Sequence, residues 1–479
     1  MGQTPKELNP FESARAFFGA ELRHWRTQRS LSQVALGRAT HDSAALIGRF
    51  EKAERWPSRA AVLRLDEALE TAGALVRIWD RADQEAQRPH DGETTARVDT
   101  GLGLEWHTDL STTASTVAAL WDGDAALESV PLQWLPSVDD GALLRWHLEQ
   151  ARPTPALRAA GGPAGSDRPG GRRRLSLLDV EAVAAMGSAF SKADHQLGGG
   201  YARSTLGHYL RTTVRPLLSA ECDGEVHRQL LTTTARLCDL AGFMSFDSGH
   251  QGLAQRYFVQ ALRLARAVDD EALGAHILGD MTMQALHLDA RAQAVALGEA
   301  AAEAGRRSGS HIVAARASAV ASRAFARSSD PVAADRAMND AERALQSGAS
   351  DRDPDWIGFF NTDQLSTEFL YSSSDLGRTA RVEEYAATLL TTASSSAMQR
   401  RQVLVTATIA AAFLPSPQRD GHADPMRALE ALRRVLPFIA GVSSARAIAA
   451  VNAVRGQLAG HLDPDLLRGF ESDLHDVML

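Results

Sequence analysis

The sequence predicts an all-α chain, with an N-terminal five-helix helix-turn-helix bundle followed by a long C-terminal α-solenoid. Three observations predict it. Strong helix formers (Ala, Leu, Arg, Glu) dominate the 479 residues, with only five tyrosines and no alternating β-branched runs. From Glu12 to Trp79 apolar residues recur at helical spacing in short blocks separated by turns of three to four residues. From Leu175 onward, paired apolar stripes repeat at intervals of about 40 residues.

Composition bounds the function. A chain this long exceeds one hydrophobic core, so a small domain plus an array is expected. No run of about 18 apolar residues exists, which predicts no membrane span. Met1 to Pro10 lacks a basic-then-apolar layout, so a flexible tail is expected at 1–10 and no secretory leader. Cys222 and Cys238 show no ligand spacing and are expected as buried or free thiols in a reducing cytoplasm. Basic residues are almost all Arg; Lys6, Lys52 and Lys192 are the lysines. The net charge of −8 conceals an asymmetry. Residues 15–64 hold ten Arg or Lys against four acids, a balance of +6, which leaves −14 for the remainder. A basic module on an acidic body suits phosphate binding without indiscriminate adhesion to nucleic acid.

The basic module, 11–86, divides into elements. Phe17, Phe18, Leu22 and Trp25 mark a first helix from Glu12 to Arg29. Ser32 caps a second, Gln33 to about Ala39. Thr40-His41-Asp42 turns into a third, from Ser43 to about Ala53. Trp56-Pro57-Ser58 ends that helix and caps a fourth, Arg59 to Glu70. Leu75, Ile78 and Trp79 mark a fifth after Gly73. Gly37 sits mid-helix, where glycine costs about 1 kcal/mol against Ala; with Ala35 it fits a close crossing of the second helix over the third. Glu51 lies between core positions Ile47 and Phe50, so its carboxylate needs a fixed cation, and Arg26 is the natural partner.

The segment from Glu21 to Arg59 resembles the xenobiotic-response-element (Cro/repressor) type of helix-turn-helix regulator in its actinobacterial form. The resemblance is carried by Arg26, Leu31, Ser32, Gln33, Leu36, Ser43, Ile47, Arg49, Phe50, Glu51, Arg55, Pro57 and Ser58. It implies an internal Arg26–Glu51 ion pair, a phosphate contact by Gln33, and a third helix that enters the major groove. On that helix Ala44, Ala45, Gly48 and Arg49 share one face beside Ser43. Arg49 suits bidentate readout of guanine, and the two alanines suit close approach and contact with thymine methyl groups. Lys52 and Arg59 would hold phosphates. Glycine is usual before the third helix of this family; here His41 or Asp42 must take the left-handed position, and Ala53 stands where a glycine commonly ends the helix.

Residues 87–103 read as a polar linker. Residues 104–152, with Trp106, Trp121, Trp134 and Trp146, read as a partly helical bridging segment docked on the body. The Gly/Pro/Arg stretch 153–174 reads as a second, flexible linker.

In 175–479 helix pairs can be laid out as Val226–Phe243 with Gly252–Val268, Glu271–Leu288 with Arg291–Gly305, and Ile312–Arg327 with Ala333–Gln346. Three more follow: Trp356–Tyr371 with Thr379–Thr392, Ala397–Leu414 with Pro425–Phe438, and Ala445–Gly460 with Pro464–Val477. Small residues inside the second helices (Ala261, Ala265, Ala300, Ala304) permit tight antiparallel packing, and no pair can bury its stripe alone. The array resembles tetratricopeptide-like repeats, although most marker residues are missing and the spacing exceeds about 34 residues. The stretches Asp194 to Gly200, Tyr209 to Leu217 and Gly252 to Leu264 also resemble the body of actinobacterial regulators of sporulation and antibiotic production. Gly198-Gly199-Gly200 with Arg203, His208 and Arg211 can be read as an anion cradle at a helix start, though a plain turn is preferred.

No GxSxG, HExxH or dinucleotide fingerprint occurs, so no enzyme, cofactor or metal is expected. The expected function is sequence-specific regulation of transcription, with double-stranded DNA as partner, in the cytoplasm and on the nucleoid. One short helix reads too few base pairs to stand out in a genome, so a homodimer on an inverted repeat is expected, joined through the repeats. Two alternatives stay open: a scaffold that uses the repeats to hold proteins without DNA, and a receptor whose peptide or small-molecule ligand controls DNA binding. Asparagines that could grip a peptide backbone are few in the body (Asn339, Asn361, Asn452).

Overall fold

The structure is a computed structural model and describes residues 14–29, 31–69, 71, 73, 75–76, 78–79, 101–149, 174–391, 399–415 and 423–478. The expected tail at 1–10, and the linkers apart from residues 101–103 and 174, lie outside these. Every regular element among the described residues is a helix, and none of them is long and apolar enough to cross a membrane. The chain forms two compact units, Met1–Arg97 and Val98–Leu479, taken separately below.

The head contains α1 (Ala14–Gln28), α2 (Gln33–Thr40), α3 (Ala44–Glu51) and α4 (Arg59–Leu69). Residues 75, 76, 78 and 79 are also helical. Serine hydroxyls start three of these helices: Ser32 accepts from the Ala35 N–H at 3.1 Å, Ser43 from Leu46 at 3.2 Å, and Ser58 from Ala61 at 3.3 Å. His41 takes the left-handed conformation that closes α2 (φ 58°). Phe18, Leu22, Leu36, Ile47, Val62 and Leu65 meet in one core. The Trp79 indole stacks on Trp56 at 6.1 Å and donates to the Pro57 carbonyl at 2.9 Å, which pins the last turn to the loop before α4.

The body begins earlier than its repeats. α5 (Leu110–Glu128) and α6 (Pro136–Leu148) carry the tryptophan-rich segment, and Trp106, Trp121 and Trp146 are buried in the main core of the body. They are followed by α7 (Leu177–Leu197), α8 (Gly199–Tyr209), α9 (Gly224–Asp247) and α10 (Gln251–Ala267). The segment is an integral wall because polar side chains of α10 hold its backbone. The Gln255 amide donates to the Leu135 carbonyl at 2.8 Å and the Asp139 carboxylate at 2.7 Å. Gln260 donates to the carbonyls of Gly103 and Glu105 at 2.9 and 2.8 Å. The end of the stretch read as a linker is therefore bound to the body.

The repeats continue as α11 (Glu271–His287), α12 (Arg291–Ser308), α13 (His311–Arg327), α14 (Pro331–Gln346), α15 (Thr362–Asp375) and α16 (Thr379–Thr391). The last are α17 (Gln399–Ala412), α18 (Pro425–Arg433), the single turn α19 (Leu436–Ile439), α20 (Ala445–Leu458) and α21 (Pro464–Met478). α11, α13 and α15, the first helices of successive pairs, pack on one another. Small residues set the spacing: a Cβ on Gly298 would lie 3.2 Å from the Ala321 backbone, and one on Gly305 would lie 3.1 Å from that of Ala314. Two boundaries differ from the sequence reading. Trp356 belongs to a 3₁₀ turn (Asp355–Ile357), and α15 starts only at Thr362, capped by the Asn361 side chain. α18 stops at Arg433, just before Pro437, which cannot donate to a continuing helix.

The end of the array returns to its beginning, a long-range closure that the repeat period does not specify. The Ser443 N–H donates to the Leu197 carbonyl at 2.8 Å, and Gly200 N–H donates to the Ser443 carbonyl at 2.9 Å. Arg400 on α17 bridges Asp194 and Asp247 at 3.0 Å each, while Ser444 and Arg446 donate to Asp247 at 2.9 and 3.1 Å.

Candidate nucleic-acid interface

α3 has one face locked into the head and another left to solvent. Inside, Glu51 is 1 % exposed by its side chain and is gripped by Arg26, which donates through Nε to Oε1 and through Nη2 to Oε2 at 3.1 Å. Gln33 Nε2 donates to the same Oε2 at 2.8 Å, and Arg23 stands 3.7 Å away. Arg26 also donates to the Leu31 carbonyl at 2.8 Å, so a single guanidinium joins α1, the start of α2 and the end of α3. A buried carboxylate with this many charged donors orients a helix more than it stabilises the fold.

Close backbone approach sets the crossing angles. A Cβ on Gly37 would lie 2.6 Å from the Asp42 carbonyl and 3.2 Å from Ala44 N, so the small residue expected in α2 admits the turn and first residue of α3. Gly19 does the same for α1, with Phe50 and Glu51 carbonyls 2.8 and 3.0 Å from a Cβ. The sequence reading missed Gly19; a glycine inside an amphipathic helix beside bulky phenylalanines was the available signal. It also gave Arg64 no role. Arg64 Nε donates to the Thr40 carbonyl at 2.8 Å and its Nη2 reaches Asp42 at 3.3 Å, which fixes the α2–α3 turn from α4.

On the outer face Ser43, Ala45, Arg49 and Lys52 are exposed, and Ala44 is half-buried. Among the described residues the Arg49 guanidinium has no hydrogen-bond or ion-pair partner. Arg59, at the start of α4, is exposed as well. Two expected members of the site make contacts within the head. Gln33, half-exposed, commits its amide nitrogen to Glu51. Gly48 faces that glutamine, whose Oε1 would lie 3.3 Å from a Cβ there, so it serves the α2–α3 contact more than an open surface.

In the body, Arg203, His208 and Arg211 do not converge on an anion. Arg203 is buried and spends its charge on Asp124 at 3.1 Å and on Glu128, whereas His208 and Arg211 stay exposed and, among the described residues, meet each other at 3.5 Å. The glycine triplet does receive an anion at a helix start, but it is the protein's own Asp247, which accepts from the Gly199 N–H at 2.9 Å. Burial alone would raise the Asp247 pKa; Arg400, Arg446 and that N–H instead hold it at about 2.

Residues 18–79 match the family described as a helix-turn-helix domain. No curated protein and no solved structure gives a significant match to the chain. The match covers the capped helices, the Arg26–Glu51 lock and the outward face of α3. The head is a helix-turn-helix domain, and the chain is, in general terms, a DNA-binding regulator.

Proposed function

We propose that the protein is a sequence-specific transcriptional regulator that reads an operator in double-stranded DNA through α3. One observation carries this reading. Within two positions of the same helix, Glu51 is tied down inside while Arg49 is presented to solvent with its donors uncommitted among the described residues. Such a side chain can take the O6 and N7 of guanine, Ala44 and Ala45 let the helix approach the groove floor, and Lys52 and Arg59 meet phosphates. The resemblance of residues 21–59 to the xenobiotic-response-element type supports the same docking.

In this proposal the protein acts as a homodimer on an inverted repeat, in the cytoplasm and on the nucleoid. Its tetratricopeptide-like body joins the copies and receives a signal, and it performs no catalysis. Genome-wide footprinting of wild type beside Arg49→Ala tests the proposal. A shared inverted repeat lost in the variant is expected. Indistinguishable profiles would reduce the head to a protein-docking module. The receptor reading, in which a bound ligand sets DNA affinity, is favoured as a second reading by a partly open cavity lined by helices of the body.

A further inference from the structure

The return of α17 and α20 onto α7 and α9 lines a partly open cavity of about 390 Å³. That volume suits one drug-sized molecule rather than a peptide of several residues. Its walls carry flat apolar surface from Phe243, Trp356, Phe359 and Tyr371. Seven basic side chains also line it, and their pairing is uneven. Arg316 is bound to Asp280, Arg323 to Glu368 at 3.0 Å, and Arg400 and Arg446 to Asp247. Arg236 on α9 and Arg401 on α17 have no ion pair among the described residues, although both are half-buried. Burial lowers the pKa of each guanidinium. A desolvated guanidinium without a counter-ion is costly, and the cost is recovered when an anion arrives.

Hydrogen bonding at one end is incomplete too. Asp239, 5 % exposed, has Oδ1 buried without a partner, and His276 Nδ1 beside it is likewise unpartnered. The two residues are 3.4 Å apart (Oδ2 to Nε2), and the imidazole stacks edge-on against Trp356 at 4.9 Å. Asp239, His276 and Asp280 resemble a cation site in their spacing, but the Arg316 guanidinium already sits on Asp280 and donates to the His276 carbonyl at 3.1 Å. A fixed positive charge therefore already neutralises part of this cluster.

We propose that this cavity is the binding site of a small organic anion with a flat aromatic body. Its carboxylate, sulfonate or phosphate group meets Arg236 or Arg401, its rings lie against Trp356 and Phe359, and a polar substituent reaches Asp239 and His276. The proposal deepens the signal-receiving part of the function above. It rests on that reading for its consequence on DNA, not for binding itself.

The probe is 8-anilinonaphthalene-1-sulfonate, an aromatic monoanion, compared with N-phenyl-1-naphthylamine, the same rings without the sulfonate. Both are titrated by fluorescence into the full chain. The expected result is saturable binding of one sulfonate probe per chain, at least tenfold tighter than the uncharged probe. The double substitution Arg236→Gln/Arg401→Gln is expected to weaken the sulfonate at least tenfold and leave the uncharged probe and the helical circular dichroism unchanged. Neither arginine forms a salt bridge among the described residues, although Arg236 lies near Asp239, Asp270 and Asp355; Arg433→Gln on the surface is the control. Equal affinity for the two probes on wild type, no saturable binding, or a sulfonate affinity unmoved by the double substitution would each overturn the site. The wild-type comparison stands even if the variant misfolds. DNA binding measured on the same preparations separates failure of this site from failure of the regulator reading.

Discussion

Replacing Arg26 with methionine removes the fixed cation from Glu51 while keeping a side chain of similar length. The carboxylate left behind is almost fully buried, with one amide donor from Gln33 and the partly exposed Arg23 at 3.7 Å. Breaking a buried pair by deleting one partner costs roughly 3–5 kcal/mol. Because Gln33 and Arg23 remain, the lower end applies, and Arg26→Met should destabilise the head by about 3 kcal/mol. Glu51→Gln leaves a cation that can turn toward water, and should cost about 1–2 kcal/mol. The double variant leaves neither charge stranded, so its cost should fall about 2 kcal/mol short of the sum of the singles. Native-state hydrogen exchange on the full chain, followed in peptides covering residues 31–53, reads this locally; 3 kcal/mol corresponds to about hundredfold faster exchange. Single-variant costs that add to within about 0.5 kcal/mol would refute the reasoning, since independent sites add and a locked pair does not.

Three further outcomes follow from the same geometry. Ala53 is held at φ 56°, where a Cβ costs about 1 kcal/mol, so Ala53→Gly should slow exchange in α3 by an amount worth about 0.5–1 kcal/mol. Asp247 has its folded pKa depressed from 3.8 to about 2, so its contribution is present above pH about 4 and is lost as pH falls toward 2. Urea unfolding should accordingly show the stability gap between wild type and Asp247→Asn narrowing by about 2 kcal/mol from about pH 5 to about pH 2; a constant gap would contradict the closure network. A Cβ on Gly200 would meet Ser443 Oγ at 2.5 Å, whereas one on Gly199 would meet Met244 backbone at 2.7 and 2.8 Å. Gly200→Ala should therefore lose thermal stability that Ser443→Ala restores in part, while Gly199→Ala should not be rescued.

Much of this was legible in the residues. Serine caps, helical apolar spacing and the Leu31-Ser32-Gln33 to Trp56-Pro57-Ser58 pattern located the head, because those signals are local. The Arg26–Glu51 lock was also readable, since a carboxylate among core positions demands a cation. The Gln33–Glu51 hydrogen bond was not legible, because nothing local reveals that the Glu51 carboxylate draws in a third side chain. The repeats were readable from their period, yet the return of Arg400, Ser443 and Arg446 to Asp194, Gly200 and Asp247 joins residues more than 150 apart, a separation no periodicity encodes. The cavity depends on that return and was hidden for the same reason. The tryptophan-rich segment reads in sequence as partly helical and docked on the body, but its anchors, Gln255 and Gln260, lie more than 100 residues away, which no local signal links to it.

Outward presentation of Arg49 on α3 is the central claim. The most direct measurement is a fluorescence anisotropy titration of full-length wild type and Arg49→Ala against the footprinted duplex and a scrambled duplex, at several salt concentrations. The account predicts that Arg49→Ala weakens the footprinted duplex about tenfold to hundredfold and leaves the scrambled duplex and the salt slope nearly unchanged, as loss of a base contact requires. Equal weakening on both duplexes, or none on either, would contradict it.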